Sequence, residues 1–475
     1  MDPWHHLRSF QPNDIETEIK MELQGIKALV VGLGRTGEAV CEFLVNKGAE
    51  VKISERSRPE EMGDRIGYWR NKGVAVEAGG HKLRSFLKAD LIIPSPGVPY
   101  IPELEEARKK GRRIISEIEL AYGFLKGKIV GVTGTNGKST TTTLSHKILQ
   151  EGGIKSHLAG NIGTPLIHFV EKSQPDDIFV TELSSFQLRY VIKFRAAVSV
   201  FLNISGDHLD WHTSFEDYFQ SKKNLLLTQK EGDTAILNRD YPRIWALRKL
   251  GKFEVFAFSQ TGKVSRGCWI QDNWIVLADK IQEKLMPMTE TSLFGVHNRE
   301  NIMASVLVGH TFKIPVSAIK KSIASFRGLE HRLEKVGKLG QVEFYNDSKA
   351  TNIDASIKSI QSFARPIALI LGGRDKGGNF ALLRAPVQKN VKTIVLIGEA
   401  TDKIKKSLEG TAPMKEASDM KEAVHLAYSA ALPKGVVLLA PGCTSFDMFK
   451  NYEERGKTFK KEVKALTETE RRRKV

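Results

Sequence analysis

The sequence predicts an α/β protein of three domains: an N-terminal Rossmann-like unit, a central P-loop ATPase-like unit and a C-terminal Rossmann-like unit. Three observations carry this expectation. The chain has 475 residues, and at roughly 100 to 200 residues per domain that length suits about three packed units. Apolar runs of strand length alternate with amphipathic stretches along most of it. Several of those runs end in glycines that lead straight into a helix start, the pattern of strand–loop–helix units whose ligands gather at the carboxyl ends of parallel strands.

The first domain is expected over residues 1–126. Its strands and helices begin with Ala28-Leu29-Val30-Val31 and end near Ala121-Tyr122-Gly123. The second, over 127–326, opens on Lys128-Ile129-Val130-Gly131-Val132-Thr133, a buried-strand pattern running into a glycine-rich turn and a Ser/Thr-rich helix start. Further strands are expected at 178–181, 197–203 and 234–237, and a helix at 298–309. The third, over 327–475, holds three apolar runs, 367–371, 393–397 and 436–440, each followed closely by glycine.

Composition sets outer bounds. With 41% hydrophobic and 27% charged residues the chain reads as an ordinary soluble protein. No run of about 18 apolar residues occurs, and Met1 to Met21 is polar, so neither stable membrane insertion nor a signal peptide is expected and the location reads as cytoplasmic. Cys41, Cys268 and Cys443 are odd in number and lack CxxC spacing, which predicts buried, reduced thiols. The formal charge of +17 is spread along the chain apart from the tail Arg471, Arg472, Arg473, Lys474. No nucleic-acid motif accompanies it, so no nucleic-acid partner is expected, and anionic small-molecule substrates account for part of the basicity.

The first motif is Gly32-Leu33-Gly34-Arg35-Thr36-Gly37, after a strand and before a helix, with Glu55 and Arg56 at the end of the next strand. Such a turn lets backbone approach phosphate at a helix N-terminus, and an acid near Glu55 can accept ribose hydroxyls. Ser95-Pro96-Gly97 after another strand offers a second wall. Alone these residues suit a nicotinamide cofactor as well as a uridine nucleotide, or a packing turn with no ligand.

The second motif is stronger: Gly131-Val132-Thr133-Gly134-Thr135-Asn136-Gly137-Lys138-Ser139-Thr140. Backbone amides from Gly134 to Thr140 can cradle ATP phosphates, Lys138 can neutralise them, and the Ser139 hydroxyl can reach magnesium. Gly131 stands one residue too early for the usual P-loop spacing, which has four residues between its first glycine and the Gly-Lys pair.

At these residues the chain resembles the Mur ligases, ATP-dependent amide-forming enzymes. Gly160-Asn161-Ile162-Gly163, Glu182-Leu183-Ser184-Ser185-Phe186-Gln187-Leu188 and Asn203-Ile204-Ser205-Gly206-Asp207-His208-Leu209-Asp210 follow in the family's order. So do His297-Asn298-Arg299-Glu300-Asn301 and His331-Arg332, which resemble adenine and phosphate contacts. Asn346-Asp347-Ser348-Lys349-Ala350-Thr351-Asn352, Leu371 to Phe380 and Cys443-Thr444-Ser445-Phe446-Asp447 look like the branch that adds D-glutamate.

The resemblance implies magnesium held by Ser139, Glu182, His208 and Lys222, with Lys138, His208 and Lys222 as catalytic residues. Lys222 matches a lysine that the family carboxylates on N6 to an anionic ligand, although its neighbour Lys223 leaves the register open. ATP would be served by Asn298, Asn301, Arg332, Asp347 and Lys349 besides the P-loop. A UDP-linked substrate, UDP-N-acetylmuramoyl-L-alanine, would meet Gly34, Arg35, Thr36, Glu55, Arg56, Ser95, Gly97 and Asn161. D-glutamate would meet Thr351, Lys376, Ser445 and Tyr452. The implied product is a cytoplasmic peptidoglycan precursor, and the enzyme is expected to be a monomer. A folylpolyglutamate synthase is the nearest rival, but its chain begins with the P-loop domain, whereas here a further α/β domain precedes it.

Overall fold

The computed structural model describes residues 22–206 and 211–472. Its chain forms two compact units. The first gathers the described residues up to Lys126 together with Pro165–Gln174 and Tyr190–Phe194; the second holds Gly127–Thr164, Pro175–Arg189 and everything from Arg195 onwards.

In the first unit β1 (Lys27–Val31), β2 (Glu50–Ser54), β3 (Ala75–Glu77), β4 (Leu91–Pro94) and β5 (Arg113–Ile114) form a parallel sheet in the order β3-β2-β1-β4-β5. This is the Rossmann-like order that the alternating pattern predicts. The helix Glu117–Tyr122 explains why two later segments belong here. The buried Glu119 carboxylate accepts the N–H groups of Ile192, Lys193 and Phe194 at 2.8–2.9 Å. Glu117 accepts that of Ile167 at 2.7 Å, and burial, opposed by the Ile167 and Leu166 amides, pushes its carboxyl up to about 7.

The second unit carries two sheets. The first comprises β6 (Lys128–Thr133), β7 (Ser156–Gly160), β8 (Ile178–Glu182), β9 (Val198–Phe201), β10 (Thr234–Asn238), β11 (Glu254–Ser259), β12 (Gly267–Gln271), β13 (Trp274–Ala278) and β14 (Gln282–Pro287). They are ordered β14-β13-β12-β11-β10-β9-β6-β8-β7. Strands up to β12 pair in parallel, and β12, β13 and β14 form an antiparallel meander. That meander, with β11, is an addition to the elements expected from sequence.

The second sheet orders β15 (Glu334–Leu339), β16 (Val342–Asn346), β20 (Val436–Leu439), β17 (Ile367–Gly372), β18 (Val391–Ile397) and β19 (Met414–Glu416) as β15-β16-β20-β17-β18-β19. Only the β15–β16 pair is antiparallel. Its apolar strands are continuous because both faces are covered. Ile367, Leu369 and Leu371 enter one core while Ala368 and Ile370 enter the other, as the two-residue period of a strand requires. Each fully buried Ile or Leu there contributes about 1.5–3 kcal/mol. The expected free thiols are found: Cys41, Cys268 and Cys443 are buried and unpaired with one another. No described helix is long and apolar enough to cross a membrane.

Candidate active site

A cavity of about 430 Å³ in the second unit collects the carboxyl ends of strands from both of its sheets. From β6 comes the P-loop, from β8 Glu182, from β16 Asp347 to Asn352, from β17 Lys376, and from β20 Thr444 to Phe446. Parallel strands deliver their loops to one end of a sheet, so residues more than 300 positions apart in sequence meet here.

Gly137, at φ +84°, caps the helix Lys138–Glu151. A Cβ at this position would lie 2.2 Å from Asn301 Oδ1, so both the left-handed backbone and the tight approach require glycine. Gly131 has a different task. It lies within β6, where a Cβ would sit 2.8 Å from Leu225 and 2.9 Å from Leu183. The early glycine therefore serves packing, and the phosphate loop proper starts at Gly134.

Lys138 Nζ donates to the carbonyls of Gly134 and Thr135 at 3.0 and 2.8 Å, folded back over its own loop. Ser139 Oγ donates to Glu182 Oε2 at 2.5 Å, Asn161 Nδ2 donates to Glu182 Oε1 at 2.8 Å, and Arg332 donates to Ser139 Oγ at 2.7 Å. Glu182 is 3% exposed. Burial pushes its carboxyl up, but Lys138, the Asn161 and Ser139 hydrogen bonds, and Arg332 outweigh that and hold it below the ordinary carboxylate value. A persistently anionic carboxylate touching a serine hydroxyl is a hard-oxygen pair that fits magnesium.

Lys222 lies on the helix Phe215–Leu227 and is 1% exposed. Its Nζ donates to the Gly134 carbonyl at 2.9 Å and stands 4.7 Å from the Tyr218 ring centroid. Lys223 is only half-buried, so Lys222 is the lysine of the pair that faces the phosphate loop. His208 lies outside the described residues.

Arg332 arrives on the connection between the two sheets. Its neighbours His331 (φ +63°) and Leu333 (φ +48°) are both left-handed, a conformation costly for non-glycine residues that turns the chain on either side of the arginine. Asp347 accepts from Ser359. Burial pushes its carboxyl up to about 6 against the Ser359 and Leu333 hydrogen bonds and the Arg332 charge. Lys349 Nζ stands 4.0 Å over the Tyr452 ring. Burial and the repulsion of Arg332 and Lys138 push its ammonium down to about 8, against Glu182 and Glu453.

Comparison with known proteins gives these residues a context. Family models for the Mur ligase middle domain, the Mur ligase MurD-like N-terminal domain and the Mur ligase glutamate ligase domain match residues 132–309, 26–116 and 331–443. The UDP-N-acetylmuramoylalanine–D-glutamate ligase of Koribacter versatilis is 42% identical over 454 residues, 95% of this chain and 100% of that protein. The chain belongs to the Mur ligase family. The ligase of the same name from Acidobacterium capsulatum is 44% identical over 93% of this chain and 96% of its own. In fold, this Mur ligase is similar to a pseudomurein peptide ligase type C from Methanothermus fervidus, at a TM-score of 0.59 and 18% identity over 93% of this chain and 100% of the other. It is similar also to the UDP-N-acetylmuramate–alanine ligase of Thermotoga maritima, at 0.56 and 16% over the same shares.

Within this Mur ligase the residues expected from sequence divide by location. Thr351, Lys376, Ser445 and Tyr452 line the cavity beside the P-loop, and so do Asn298 and Asn301. The two asparagines are already engaged: Asn301 accepts from Thr141 at 3.2 Å and donates to Asn298 at 2.9 Å, and Asn298 donates to the Phe294 carbonyl at 2.6 Å. Asn161, grouped from sequence with the UDP-substrate residues, is bonded to Glu182 at the phosphate end.

The remaining UDP-side residues occupy the first unit. Gly34 caps the helix Arg35–Asn46, which Arg35 and Thr36 open. Ser95 Oγ donates to the Gly32 carbonyl at 2.8 Å, and a Cβ on Gly37 would meet that carbonyl at 2.1 Å. Glu55 accepts the N–H groups of Leu33 and Ser57 at 2.6 and 2.9 Å, so its carboxylate holds the glycine turn in place. Burial raises its carboxyl, and these backbone bonds bring it below the ordinary value. Arg56 and Gly97 are exposed nearby on the same unit.

Sequence reasoning missed Arg455. It is 1% exposed on the helix Tyr452–Arg472. Its guanidinium donates to Ser348 Oγ at 3.0 Å, to the Ser348 carbonyl at 2.8 Å, and to the Cys443 and Thr444 carbonyls at 3.1–3.2 Å. It thereby ties the two loops that carry Lys349 and Ser445. Burial pushes the guanidinium down to about 10, still charged at neutral pH. Phe459, Val463 and Leu466 follow it at helical spacing on the same buried face, a periodicity that marks the face while the charge of the arginine conceals its place on it.

Proposed function

We infer that the protein joins D-glutamate to UDP-N-acetylmuramoyl-L-alanine, converting ATP to ADP and phosphate, in cytoplasmic synthesis of peptidoglycan precursors. The observation that carries this reading is that one cavity is lined by Lys138, Ser139 and Glu182 together with Thr351, Lys376 and Ser445. Near-full-length similarity to ligases named for that reaction supports it.

An unactivated carboxylate does not condense with an amine. An oxygen of the alanine carboxylate bonds to the γ-phosphorus, the bridging P–O bond to ADP breaks, and an acyl phosphate results. The amine nitrogen of D-glutamate then bonds to the acyl carbon, phosphate leaves, and the nitrogen sheds a proton. Lys138 and Arg332 offset the charge on the phosphoryl group. Thr351, Lys376, Ser445 and Tyr452 receive the carboxylates of D-glutamate. Asn298, Asn301, Asp347 and Lys349 serve ATP, and the turn at Gly34 to Thr36, with Glu55, Arg56, Ser95 and Gly97, serves the uridine nucleotide. Ser139 and Glu182, with His208 and an N6-carboxylated Lys222, would hold magnesium, which neutralises phosphate oxygens when bound. A carboxylated Lys222 keeps one N–H, enough for its bond to the Gly134 carbonyl. The chain acts as a monomer on this reading.

The test is phosphate release and product mass with ATP, magnesium and UDP-N-acetylmuramoyl-L-alanine, with D-glutamate, L-glutamate and lysine offered separately. A product that needs D-glutamate is expected; a product with another amino acid, or none, sinks the reading. Carboxylation of Lys222 is checked by NMR after equilibration with 13C-bicarbonate, where a carbamate signal absent from Lys222→Met is expected.

The two shifted groups set a pH window. Below about 6 Asp347 gains a proton and loses its charge, and above about 8 Lys349 loses its own. The kcat/KM for ATP is therefore expected to be greatest between these values and to fall on either side. Lys349→Arg keeps its cation at higher pH and should lift the alkaline limb; an unmoved limb would remove Lys349 from ATP binding.

A further inference from the structure

One helix beyond β16, Ile353–Gln361, grips residues around the P-loop at points that the assignments above leave unused. Asn136 sits at the P-loop tip with its main chain clamped by Asn203. Its N–H donates to Asn203 Oδ1 at 2.8 Å, and Asn203 Nδ2 donates to its carbonyl at 3.1 Å. Its side-chain Nδ2 donates to Asp354 Oδ2 at 2.8 Å. The same carboxylate oxygen lies 3.3 Å from Lys358 Nζ, one turn along the helix, and that ammonium donates to Tyr241 Oη, just past β10, at 3.2 Å. The Lys358 side chain is 14% exposed, and the buried Glu300 adds its field to that of Asp354.

The helix begins directly after Asn352, whose Oδ1 caps it by accepting the Ala355 N–H at 2.8 Å. Thr351 immediately precedes that cap. One rigid element thus joins the amino-acid side of the cavity to the tip of the phosphate loop. Charge-assisted hydrogen bonds are about twice as strong as neutral ones and strengthen where water is excluded. The chain Asn136–Asp354–Lys358–Tyr241 therefore links the two sides through charge-assisted hydrogen bonds around a carboxylate that is 28% exposed.

We propose that Asp354 and Lys358 are positioning residues that hold the amino-acid side of the cavity against the P-loop, so that the acyl phosphate is met by the amine and not by water. This rests on the ligase reading above. When the amine attacks, the acyl C–O bond to phosphate breaks and an amide forms. When water attacks, the same bond breaks, and the products are phosphate and the original carboxylate. Both routes release one phosphate per ATP, and only the first gives product. A displacement of about 1 Å can cost about 10²-fold in a step that needs two bound groups aligned, and the incoming amine belongs to the amino acid that Thr351, just before this helix, helps to hold.

The experiment measures phosphate and ligated product in one reaction of the full chain with ATP, magnesium, UDP-N-acetylmuramoyl-L-alanine and D-glutamate. The wild type is expected to release one phosphate per product. Asp354→Ala and Lys358→Met are expected to release about two or more per product, with affinity for a fluorescent ATP analogue within about twofold of wild type. Asp354→Asn is isosteric and keeps an oxygen for Asn136 while losing the charge that holds Lys358. Its ratio should fall between, and it replaces Asp354→Ala if that variant does not fold. A ratio of one in every variant, whatever the rate, overturns the proposal. A wild type that makes no D-glutamate product overturns the ligase reading itself, so the two failures are distinct.

Discussion

Glu182→Gln is expected to lower kcat by about 10²–10³-fold, or about 2.7–4 kcal/mol, the usual loss when one preorganised charge or donor is taken from a transition state. The carboxylate accepts from both Ser139 and Asn161. An amide of the same shape turns its NH2 towards one of them, and facing Asn161 it sets donor against donor. Loss of the negative charge does more damage than this mismatch. Lys138 and Arg332 both act on Glu182, and without its anion two half-buried cations are left uncompensated along the cavity wall. A higher magnesium requirement should accompany the slower turnover, because one of two adjacent hard-oxygen donors has lost its negative charge. Steady-state rates across a magnesium titration decide the matter: activity within about tenfold of wild type at the same metal requirement would take Glu182 out of the phosphoryl-transfer centre.

Arg455→Met should cost about 2–5 kcal/mol of stability, read from urea denaturation, and raise the KM for D-glutamate. Methionine fills much of the space but leaves the Ser348 and Cys443 carbonyls without donors in a buried place, at about 1–3 kcal/mol for each group left unpaired, while the Thr444 carbonyl keeps the Arg374 N–H. The loops that carry Lys349 and Ser445 then lose their shared anchor. Arg455→Lys keeps the charge but cannot span both loops, since an ammonium lacks the planar fork, so it should rescue little. An unfolding free energy within about 0.5 kcal/mol of wild type, with KM within about twofold, would show in Arg455→Met that the guanidinium is not the anchor.

Much of the site was legible because its chemistry is local in sequence. The P-loop from Gly134 to Thr140 is one strand end, one turn and one helix start, and the phosphate chemistry expected of it needs only backbone amides and a lysine within seven residues. Glu182 was legible as the last residue of an apolar run, which puts it at a carboxyl end. The parallel sheets were legible in their unbroken apolar strands, buried on both faces. Gly131 was misleading for a reason of the same kind: a glycine demanded by Leu225 and Leu183 looks in sequence like one demanded by phosphate.

By itself, then, the sequence determined the fold class and placed the P-loop, Glu182 and the loops after β17 and β20 at strand ends, because these depend on patterns within about ten residues; it did not mark β7 or β16, which lead to Asn161 and to Asp347. Only the tertiary structure decided which distant groups meet. It placed Arg332 on Ser139 and Asp354 on Asn136, separations of 193 and 218 residues. It buried Arg455 against the loops of Ser348 and Cys443, turned Lys222 rather than Lys223 towards the phosphate loop, and moved Asn161 to the side of Glu182. The physical reason is common to all of these. A side chain's burial, charge state and partners are set by the elements packed around it, and those come from parts of the chain that no local pattern connects.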